Sequence, residues 1–364
     1  MTTKILMKGT EAIGEAAIRA NCQCFFGYPI TPQTEVAAYM AKKMPELGRV
    51  FVQAESEVAA INMVYGAAGT GVRCMTSSSS PGISLMSEGI SYLAGAELPC
   101  LIINIVRGGP GLGSIQAAQS DYFQATKGGG HGDYNLPVFA PASIQEMIDL
   151  IQDAFDVADV YRTPCMIMGD GMLGQMMEPV EFRDRQPKRL REKTWAATGR
   201  KGRTVHNVVN SLYLNPEDLE QHNVHLQNKY QTIKANEVRY DLYQCDREND
   251  LILVAYGTTS RICQNVIRAA EQEGIKLGLI RPITLWPFPS QAFEETAGST
   301  KFGYLSVEMS AGQMVEDVKL AVNGRKAVEF YGRNGGMVPH PDDILARVKQ
   351  MIQQASVEVV AAWH

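Results

Sequence analysis

The sequence predicts an α/β protein with two parallel-sheet domains. Residues 101–106 and 165–168 are almost entirely apolar, as expected of strands that are buried on both faces of a parallel sheet. Stretches with helical spacing separate such runs along the chain, which is the alternation of a parallel α/β architecture. A chain of 364 residues also exceeds the size that one hydrophobic core usually serves. Together these observations favour two α/β units.

The first half of the chain contains the elements of one such unit. Helical spacing predicts a helix over residues 11–21, and an alanine-rich apolar stretch predicts a closely packed helix over residues 57–68. Short strands are predicted at residues 50–52 and 72–75, and a serine-rich loop at 76–82 then opens a further helix.

A second unit begins abruptly at residue 251, where an apolar run follows a long polar stretch. A helix predicted over residues 260–273 ends at Gly274, which suits a helix C-terminus. Further strands are predicted at residues 276–280, 303–308 and 327–331.

The polar stretch between these units is predicted to be a connector. Charged residues crowd its beginning, and the apolar periodicity fades along it. The predicted division is a first domain at residues 1–185, a connector or irregular excursion at 186–248 and a second domain at 249–364.

Composition and charge exclude several classes of protein. The formal net charge of −5 does not suit a nucleic-acid-binding protein. The longest apolar runs, such as residues 98–106, are too short to cross a bilayer. The N-terminal residues lack a signal-peptide pattern, and seven cysteines in a chain of this length do not form a disulfide framework. We therefore expect a cytoplasmic protein with neither nucleic acid nor membrane among its partners.

The cysteine spacing argues against an iron–sulfur cluster held within the chain. Cubane clusters need four thiolates, commonly in repeated C-x-x-C spacing. This sequence has one C-x-C pair, Cys22 and Cys24, and its other cysteines are scattered. His222 and His225 would share a helix face, but the polar stretch around them favours solvated side chains. We therefore predict no metal site in this chain.

A glycine-rich run at residues 109–113 follows a predicted strand and looks like a dinucleotide-binding loop. Its third glycine comes one residue early for the G-x-G-x-x-G pattern, and no helix-opening pattern follows it. The sequence therefore does not favour a nicotinamide cofactor.

Three polar residues, Thr31, Glu57 and Arg107, lie in loops that follow predicted strands. Taken singly, Thr31 could cap a helix, Glu57 could begin one where the helix dipole favours a carboxylate, and Arg107 could be a surface charge. However, the carboxyl ends of parallel strands are where α/β sheets bind their ligands. The joint placement of the three residues there predicts a binding site.

The same loops contain a set of short motifs. They are GYPITP (27–32), QAESEV (53–58), TSSSSPG (76–82), RGGP (107–110), HGDY (131–134), AYG (255–257), RPITLWPFP (281–289) and EMS (308–310). The first five resemble the pyrimidine-binding domain of thiamine-diphosphate-dependent 2-oxoacid:ferredoxin oxidoreductases, and the others resemble the transketolase-type C-terminal domain of the same α subunit. The QAESE and SSSS runs look most like the branched-chain (2-ketoisovalerate) branch of that family.

The resemblance implies roles for five loop residues. The family's glutamate at the position of Glu57 hydrogen-bonds the aminopyrimidine ring of thiamine diphosphate and is catalytic. Tyr28 and Pro29 lie in a run that is implied to contact the same cofactor. Arg107 and Thr31 resemble the family's ligands for the 2-oxoacid, whose carboxylate suits a planar guanidinium better than a lysine.

The resemblance also implies a division of labour between subunits. In thiamine enzymes, a Gly-Asp-Gly motif and a downstream asparagine hold Mg²⁺ and the diphosphate. Asp170 lies in such a motif here, but residues 172–206 contain no asparagine. We therefore expect a β subunit to hold the diphosphate and Mg²⁺, and further γ and ferredoxin-like δ subunits to carry the iron–sulfur clusters. Ferredoxin, a 2-oxoacid and coenzyme A complete the expected partners.

Several alternatives stay open on the sequence. The chain could be a 2-oxoglutarate-specific member of the family, or a non-catalytic subunit whose apolar faces serve only assembly. It could also be the β chain of an NAD-linked 2-oxoacid dehydrogenase, although the GYPITP and RGGP runs argue against that class. Glu55 competes with Glu57 for the catalytic role, and the family pattern favours Glu57.

Overall fold

The computed structural model describes residues 4–183 and 192–361. The strands are β1 (Ile5–Lys8), β2 (Cys24–Gly27), β3 (Val50–Gln53), β4 (Cys74–Ser78), β5 (Cys100–Val106), β6 (Val138–Phe139), β7 (Pro164–Asp170), β8 (Met177–Val180), β9 (Tyr240–Tyr243), β10 (Leu251–Val254), β11 (Leu277–Pro282), β12 (Thr284–Trp286), β13 (Tyr304–Glu308) and β14 (Val328–Gly332). The α-helices are α1 (Gly9–Arg19), α2 (Thr34–Glu46), α3 (Glu57–Gly69), α4 (Pro81–Gly95), α5 (Tyr122–Thr126), α6 (Ile144–Tyr161), α7 (Gly171–Gln175), α8 (Pro216–Asn236), α9 (Gly257–Gln272), α10 (Ser290–Thr296), α11 (Met314–Val322) and α12 (Pro341–Ala361).

The larger sheet, within the described residues, has seven strands in the order β12-β6-β7-β5-β4-β2-β3. Its inner strands β5 and β7 pair in parallel, and every residue of both is buried. Helices α1, α2 and α6 cover one face of the sheet, while α3 and α4 cover the other. Burial on both faces explains why these strands are apolar without alternation, as the sequence predicted.

The second sheet of the described chain has five strands in the order β14-β13-β10-β11-β9. All of its pairs are parallel except that between β11 and β9. Helices α9 and α12 pack on one face, and α10 and α11 pack on the other. The predicted α/β class with two parallel-dominated sheets is therefore confirmed.

The sequence did not indicate two of the edge strands, β12 and β9. Strand β12, which lies beyond residue 249, pairs antiparallel with β6 at the edge of the larger sheet. Strand β9 comes from the polar stretch and pairs antiparallel with β11 at the edge of the second sheet. Each edge strand has only one ladder partner, so its pairing depends on which distant strand tertiary packing brings beside it.

The polar stretch also contains a long helix where an irregular excursion was expected. Helix α8 has 21 residues, with Pro216 in its first turn and the Asn215 side chain accepting a hydrogen bond from a backbone N–H of that turn. Only Leu226, Tyr230 and Ile233 are buried. Three buried positions give too narrow an apolar stripe to stand out in the sequence, which is why the helix was missed.

Buried polar contacts hold the segment after β5 against the second domain. The Gln119 side chain donates to the Tyr256 carbonyl at 3.0 Å and accepts from the Met309 backbone N–H at 3.0 Å. Tyr122 donates its hydroxyl to Asp317 at 2.6 Å, and burial raises the pKa of Tyr122 well above its usual value. The loop that begins at Arg107 is therefore fixed at its far end by the second domain.

Candidate active site

Loops from the ends of β2, β3, β4 and β5 meet at one edge of the larger sheet. Arg107 directly follows β5, and its Nη1 donates to the Thr31 carbonyl in the loop after β2 at 2.9 Å. Its backbone N–H donates to Ser80 Oγ in the loop after β4 at 3.0 Å. Parallel strands bring their carboxyl ends to the same edge, so residues far apart in sequence become neighbours.

Glu57 is the first residue of α3 and is buried, with 5% of its surface exposed. Ser56 caps the helix by accepting a hydrogen bond from the Ala59 N–H at 3.2 Å. Glu55, two positions upstream, is exposed. Of the two carboxylates, only Glu57 therefore lies in a dry environment at a helix N-terminus, where the helix dipole favours negative charge.

Gly82, near the start of α4, allows the close approach of Glu57. A Cβ atom added to Gly82 would lie 2.7 Å from Glu57 Oε1 and 2.0 Å from Ser78 Oγ. The carboxylate, the Ser78 hydroxyl and the start of α4 therefore converge on a single point. Sequence reasoning gave Gly82 no role, although a glycine directly after a strand–loop–Pro run indicates close backbone approach.

Arg107 is also buried, and its guanidinium is held by backbone carbonyls. Nη1 binds the Thr31 carbonyl, and Nη2 donates to the Leu112 carbonyl at 3.0 Å. Nε has no hydrogen-bond partner among the described residues. Guanidinium has five N–H donors, so a fixed side chain that uses two of them can still donate to an anion.

Two serine hydroxyls at the end of β4 are likewise buried without a partner in the described chain: Ser78 Oγ and Ser79 Oγ. Their neighbour Ser77 differs, because its hydroxyl donates to Gln33 Oε1 at 2.6 Å. Buried polar groups without a partner are uncommon in proteins and mark places where a ligand completes the hydrogen bonding. Together with Arg107 Nε, they fit a polar ligand beside Glu57.

The predicted cofactor loop, which follows β2, is fixed at its end by Gln33, the residue that accepts the Ser77 hydrogen bond. Gln33 is buried and donates from Nε2 to the Tyr28 carbonyl at 3.2 Å. Tyr28 and Thr31 are themselves exposed, and Pro29 is half-buried. The structure thus brings Thr31, Glu57 and Arg107 to one edge of the sheet and leaves Tyr28 and Pro29 on its open side.

A cleft of about 410 Å³ lies beside Thr31, between the β2 loop and the loop after Arg107. Among the described residues that line it, the single charged side chain is that of Glu35, which pairs with Lys8 at 2.9 Å. Its other lining residues include Pro32, Ile115, Ala117 and Met172. The cleft has the mixed apolar and polar lining of a small-molecule site.

The Gly-Asp-Gly loop is occupied by structural contacts. Asp170 Oδ1 accepts from the N–H groups of Met172 and Leu173 at 3.0 and 3.1 Å and so caps the short helix α7. Its Oδ2 accepts from the Thr258 hydroxyl of the second domain, and burial raises the pKa of Asp170. The sequence had indicated only that this loop lacks the downstream asparagine of a diphosphate site. In the structure, the loop begins a helix and joins the domains.

The cysteines, His222 and His225 make structural contacts within the described chain. All seven cysteines are free and six are buried; burial raises the pKa of Cys22 to about 12 and that of Cys245 to about 11. His222 contacts the Gly95 carbonyl at 2.7 Å, and His225 contacts Glu97 at 3.0 Å. Within the described residues, no cluster of three or more His, Cys, Asp or Glu suits a metal ion.

Two family models match the chain. One, described as "Pyruvate flavodoxin/ferredoxin oxidoreductase, thiamine diP-bdg", matches residues 15–241 and so covers more than half of the sequence. The other, "Pyruvate:ferredoxin oxidoreductase core domain II", matches residues 249–344. The chain belongs to the 2-oxoacid:ferredoxin oxidoreductase family.

Curated relatives agree with this family. The ketoisovalerate oxidoreductase subunit VorB of Methanothermobacter marburgensis is 48% identical over 96% of this chain and 99% of its own length. The 2-oxoglutarate synthase subunit KorA of the same organism is 34% identical over 96% of this chain and 100% of its own length. Both similarities extend across the two domains and the polar stretch between them.

Solved structures agree with the fold of the 2-oxoacid:ferredoxin oxidoreductase family. A 2-oxoglutarate:ferredoxin oxidoreductase from Magnetococcus marinus, with 2-oxoglutarate, coenzyme A and succinyl-CoA bound, aligns with a TM-score of 0.84 and 27% identity. The alignment covers 96% of this chain and 66% of that chain. A split-gene transketolase aligns with a TM-score of 0.60 at 16% identity, which is a likeness of fold alone.

These matches decide between the predictions made from the motifs. The resemblance to the ferredoxin-linked family and a first domain of the thiamine-diphosphate-binding type are confirmed. The alternative of a β chain from an NAD-linked dehydrogenase is not supported. The glycine-rich run at 109–113 leads into turns and bends instead of a helix, so the structure does not form a dinucleotide-binding loop there.

Proposed function

We propose that this chain is the α subunit of an enzyme that oxidatively decarboxylates a branched-chain 2-oxoacid. The products are the acyl-CoA and CO₂, with the electrons passing to ferredoxin. The observation that carries the proposal is the buried Glu57 carboxylate beside the unpaired Ser78 hydroxyl, at the sheet edge to which Arg107 and Thr31 also belong. When bound, thiamine diphosphate supplies the carbanion chemistry that decarboxylation of a 2-oxoacid needs.

Glu57 is the proposed catalytic residue. Its carboxylate would hydrogen-bond the pyrimidine ring and hold the proton there, and Tyr28 and Pro29 would line the same ring. No described residue hydrogen-bonds the carboxylate, so it is available to a ligand. A non-catalytic assembly subunit would not account for the burial of Glu57, because burying an unpaired carboxylate costs folding free energy.

Arg107 and Thr31 are the proposed substrate ligands. Arg107 retains Nε–H and further Nη hydrogens for a carboxylate, and its bonds to two carbonyls fix its plane. Thr31 is exposed at the mouth of the cleft and would donate its hydroxyl to the same ligand. A fixed cation at a buried position orients a small anionic substrate with little loss of entropy.

The cleft beside Thr31 supports an uncharged substrate side chain. Among the described residues, no lysine or arginine lines it, and Glu35, paired with Lys8 at 2.9 Å, offers no positive partner to the distal carboxylate of 2-oxoglutarate. Ile115, Ala117 and Met172 provide apolar contacts for a branched alkyl group. The 48% identity to a ketoisovalerate oxidoreductase subunit, against 34% for a 2-oxoglutarate synthase subunit, points the same way.

A partner subunit is proposed to cover α3 and α4 and to hold the diphosphate and Mg²⁺. After Glu57, α3 has no charged residue, and α4 has only Glu88. Even so, both helices expose apolar side chains, including Val58 (45%) and Leu85 (55%). A partner that packs on these exposed apolar side chains would remove them from water. The iron–sulfur clusters are proposed to lie on γ and ferredoxin-like δ subunits.

The test is the substrate preference of the complete enzyme. The complex purified through this chain should reduce ferredoxin with 3-methyl-2-oxobutanoate, and the rate should depend on coenzyme A and thiamine diphosphate. Its kcat/KM for 2-oxoglutarate should be lower by about a hundredfold or more, as expected when the second carboxylate of the substrate meets no cation in the lining of the cleft. A preference for 2-oxoglutarate would refute the branched-chain assignment, and activity without thiamine diphosphate would refute the function.

A further inference from the structure

The described part of the stretch after the first domain begins with a segment whose two sides differ. Residues 192–214, here called the connector arm, cross the C-terminal ends of α3 and α4. The Ala197 N–H donates to the Gly69 carbonyl at 2.8 Å, and a Cβ atom on Gly95 would lie 3.3 Å from Ser211 Cβ. The arm is therefore seated on the same two helices that begin at the candidate active site.

The inner side of the arm is anchored. Ala196 is buried, Val209 packs against the core beneath α3, and Tyr213 stacks on His222 of α8 at 4.8 Å. The side chain of Asn207 donates to the Ala196 carbonyl at 2.9 Å. These contacts fix which side of the arm faces the protein.

The outer side of the arm carries large apolar residues that face solvent. Val205 is 70% exposed, Val208 82%, Leu212 65% and Leu214 89%. From residue 207 to residue 214 the exposed positions alternate with partly buried ones, as in an extended segment with one covered side. Single exposed apolar residues are ordinary, but Val208, Leu212 and Leu214 lie on one side of a short segment, with the exposed Val205 close before them, which is typical of an interface.

A cationic turn precedes these residues. Arg200, Lys201 and Arg203 lie within it, and the sequence from Lys193 to Pro216 contains no aspartate or glutamate. None of these three cations pairs with a carboxylate among the described residues. The chain as a whole has a net charge of −5, so the turn is a local exception. Charge complementarity therefore favours an acidic occupant.

We propose that the outer side of residues 205–214, together with the 199–203 turn, docks an acidic and apolar surface of the partner subunit that covers α3 and α4. The occupant follows from continuity, because the exposed α4 residues Leu85 and Tyr92 lead to Gly95, against which Ser211 of the arm lies. The inference rests on the proposed function, which supplies that partner.

The test uses the assembled enzyme with a photo-crosslinking amino acid at Leu212, at Leu85 or, as control, at Leu320. Leu320 is 72% exposed on α11 of the second domain. Positions 212 and 85 should crosslink to the same partner subunit, and position 320 should not. If position 85 reaches the partner but position 212 reaches a second copy of this chain, a nucleic acid or nothing, the arm proposal fails and the proposed function stands. If the enzyme is active and position 85 reaches no partner, the proposed placement of the partner fails.

A second measurement is the affinity of the assembly. The double variant Leu212→Ser/Leu214→Ser should raise the Kd for the partner about tenfold or more, as expected from the loss of two buried leucines. The turnover of the complexes that do form should be unchanged. The control variant Leu320→Ser should alter neither quantity. An unchanged Kd in the double variant would overturn the proposal.

Discussion

At the scale of single residues, Glu55 and Glu57 show how two carboxylates in one motif acquire different environments. Glu55 faces solvent, whereas Glu57 begins α3 and is buried against Gly82 and Ser78. A buried carboxylate can accept a hydrogen bond from a ligand with little competition from water, whereas an exposed carboxylate is hydrated.

Replacing Glu57→Gln should lower kcat of the assembled enzyme by about 10²- to 10⁴-fold, the usual range for loss of an acid–base group. The matched control is Glu55→Gln, which should keep near-normal turnover. Both variants should assemble normally on size-exclusion chromatography. A near-normal kcat in Glu57→Gln would show that Glu57 is not catalytic. A lowered kcat in Glu55→Gln alone would assign the catalytic role to Glu55.

Replacing Arg107→Lys keeps the charge but removes the planar fork that binds the Thr31 and Leu112 carbonyls. The kcat/KM for the 2-oxoacid should fall about tenfold or more, since a charge-assisted hydrogen bond is worth roughly 1.5–3 kcal/mol. Steady-state kinetics at varied 2-oxoacid concentration measures kcat/KM. The affinity for thiamine diphosphate should be unchanged. An unchanged kcat/KM would make Arg107 a structural residue.

Replacing Gly82→Ala tests the contact between α4 and Glu57. The new Cβ would lie 2.7 Å from Glu57 Oε1, so the carboxylate must move. A displacement of about 1 Å at a catalytic group costs roughly a hundredfold in rate, so kcat should fall by that order while the fold persists. The control is Gly66→Ala on α3, where an added Cβ has no neighbour within 4 Å. Equal kcat in the two variants would contradict the proposed position of Glu57.

At the scale of elements, α7 and the start of α9 depend on Asp170, whose two oxygens serve different domains. Asp170→Ala should lower the free energy of unfolding by roughly 2–4 kcal/mol, because it removes a helix cap and leaves the buried Thr258 hydroxyl unpaired. Asp170→Asn keeps an acceptor for the α7 N–H groups and should lose less. Urea unfolding followed by circular dichroism measures both, and equal losses in the two variants would contradict this account.

At the scale of the whole molecule, the second domain fixes the loop that carries Arg107. Gln119 and Tyr122, which follow that loop, make buried hydrogen bonds to Tyr256, Met309 and Asp317 of the second domain. On the other side of the same site, α3 and α4 leave Val58 (45%) and Leu85 (55%) exposed among the described residues. The second domain thus fixes one side of the site, and the proposed partner subunit would complete the other.

The lone chain should therefore bind thiamine diphosphate weakly or not at all, since the charge-assisted contacts to a diphosphate give most of the affinity. Calorimetric titration with thiamine diphosphate and Mg²⁺ tests this, alongside an iron assay that should find none. Adding the partner subunit should restore tight binding. Tight binding by the lone chain would mean that Asp170 serves a diphosphate site, and iron in the sample would mean that the cysteines hold a cluster.

The sequence by itself determined the α/β class, the buried inner strands and the family. Each of these features is encoded locally. An apolar run such as β5 specifies burial on both faces of the sheet. A contiguous motif such as GYPITP identifies the family within six residues. The strand-end positions of Thr31, Glu57 and Arg107 followed because parallel strands share one edge.

Only the tertiary structure decided the contacts between residues distant in sequence. The approach of Gly82 to Glu57, the pairing of Asp170 with Thr258 and the joining of β12 to the larger sheet each depend on packing across the fold. Helix α8 escaped prediction because three buried residues give little periodic signal. The unpaired hydroxyls of Ser78 and Ser79 are likewise a property of burial, which no local pattern of residues encodes.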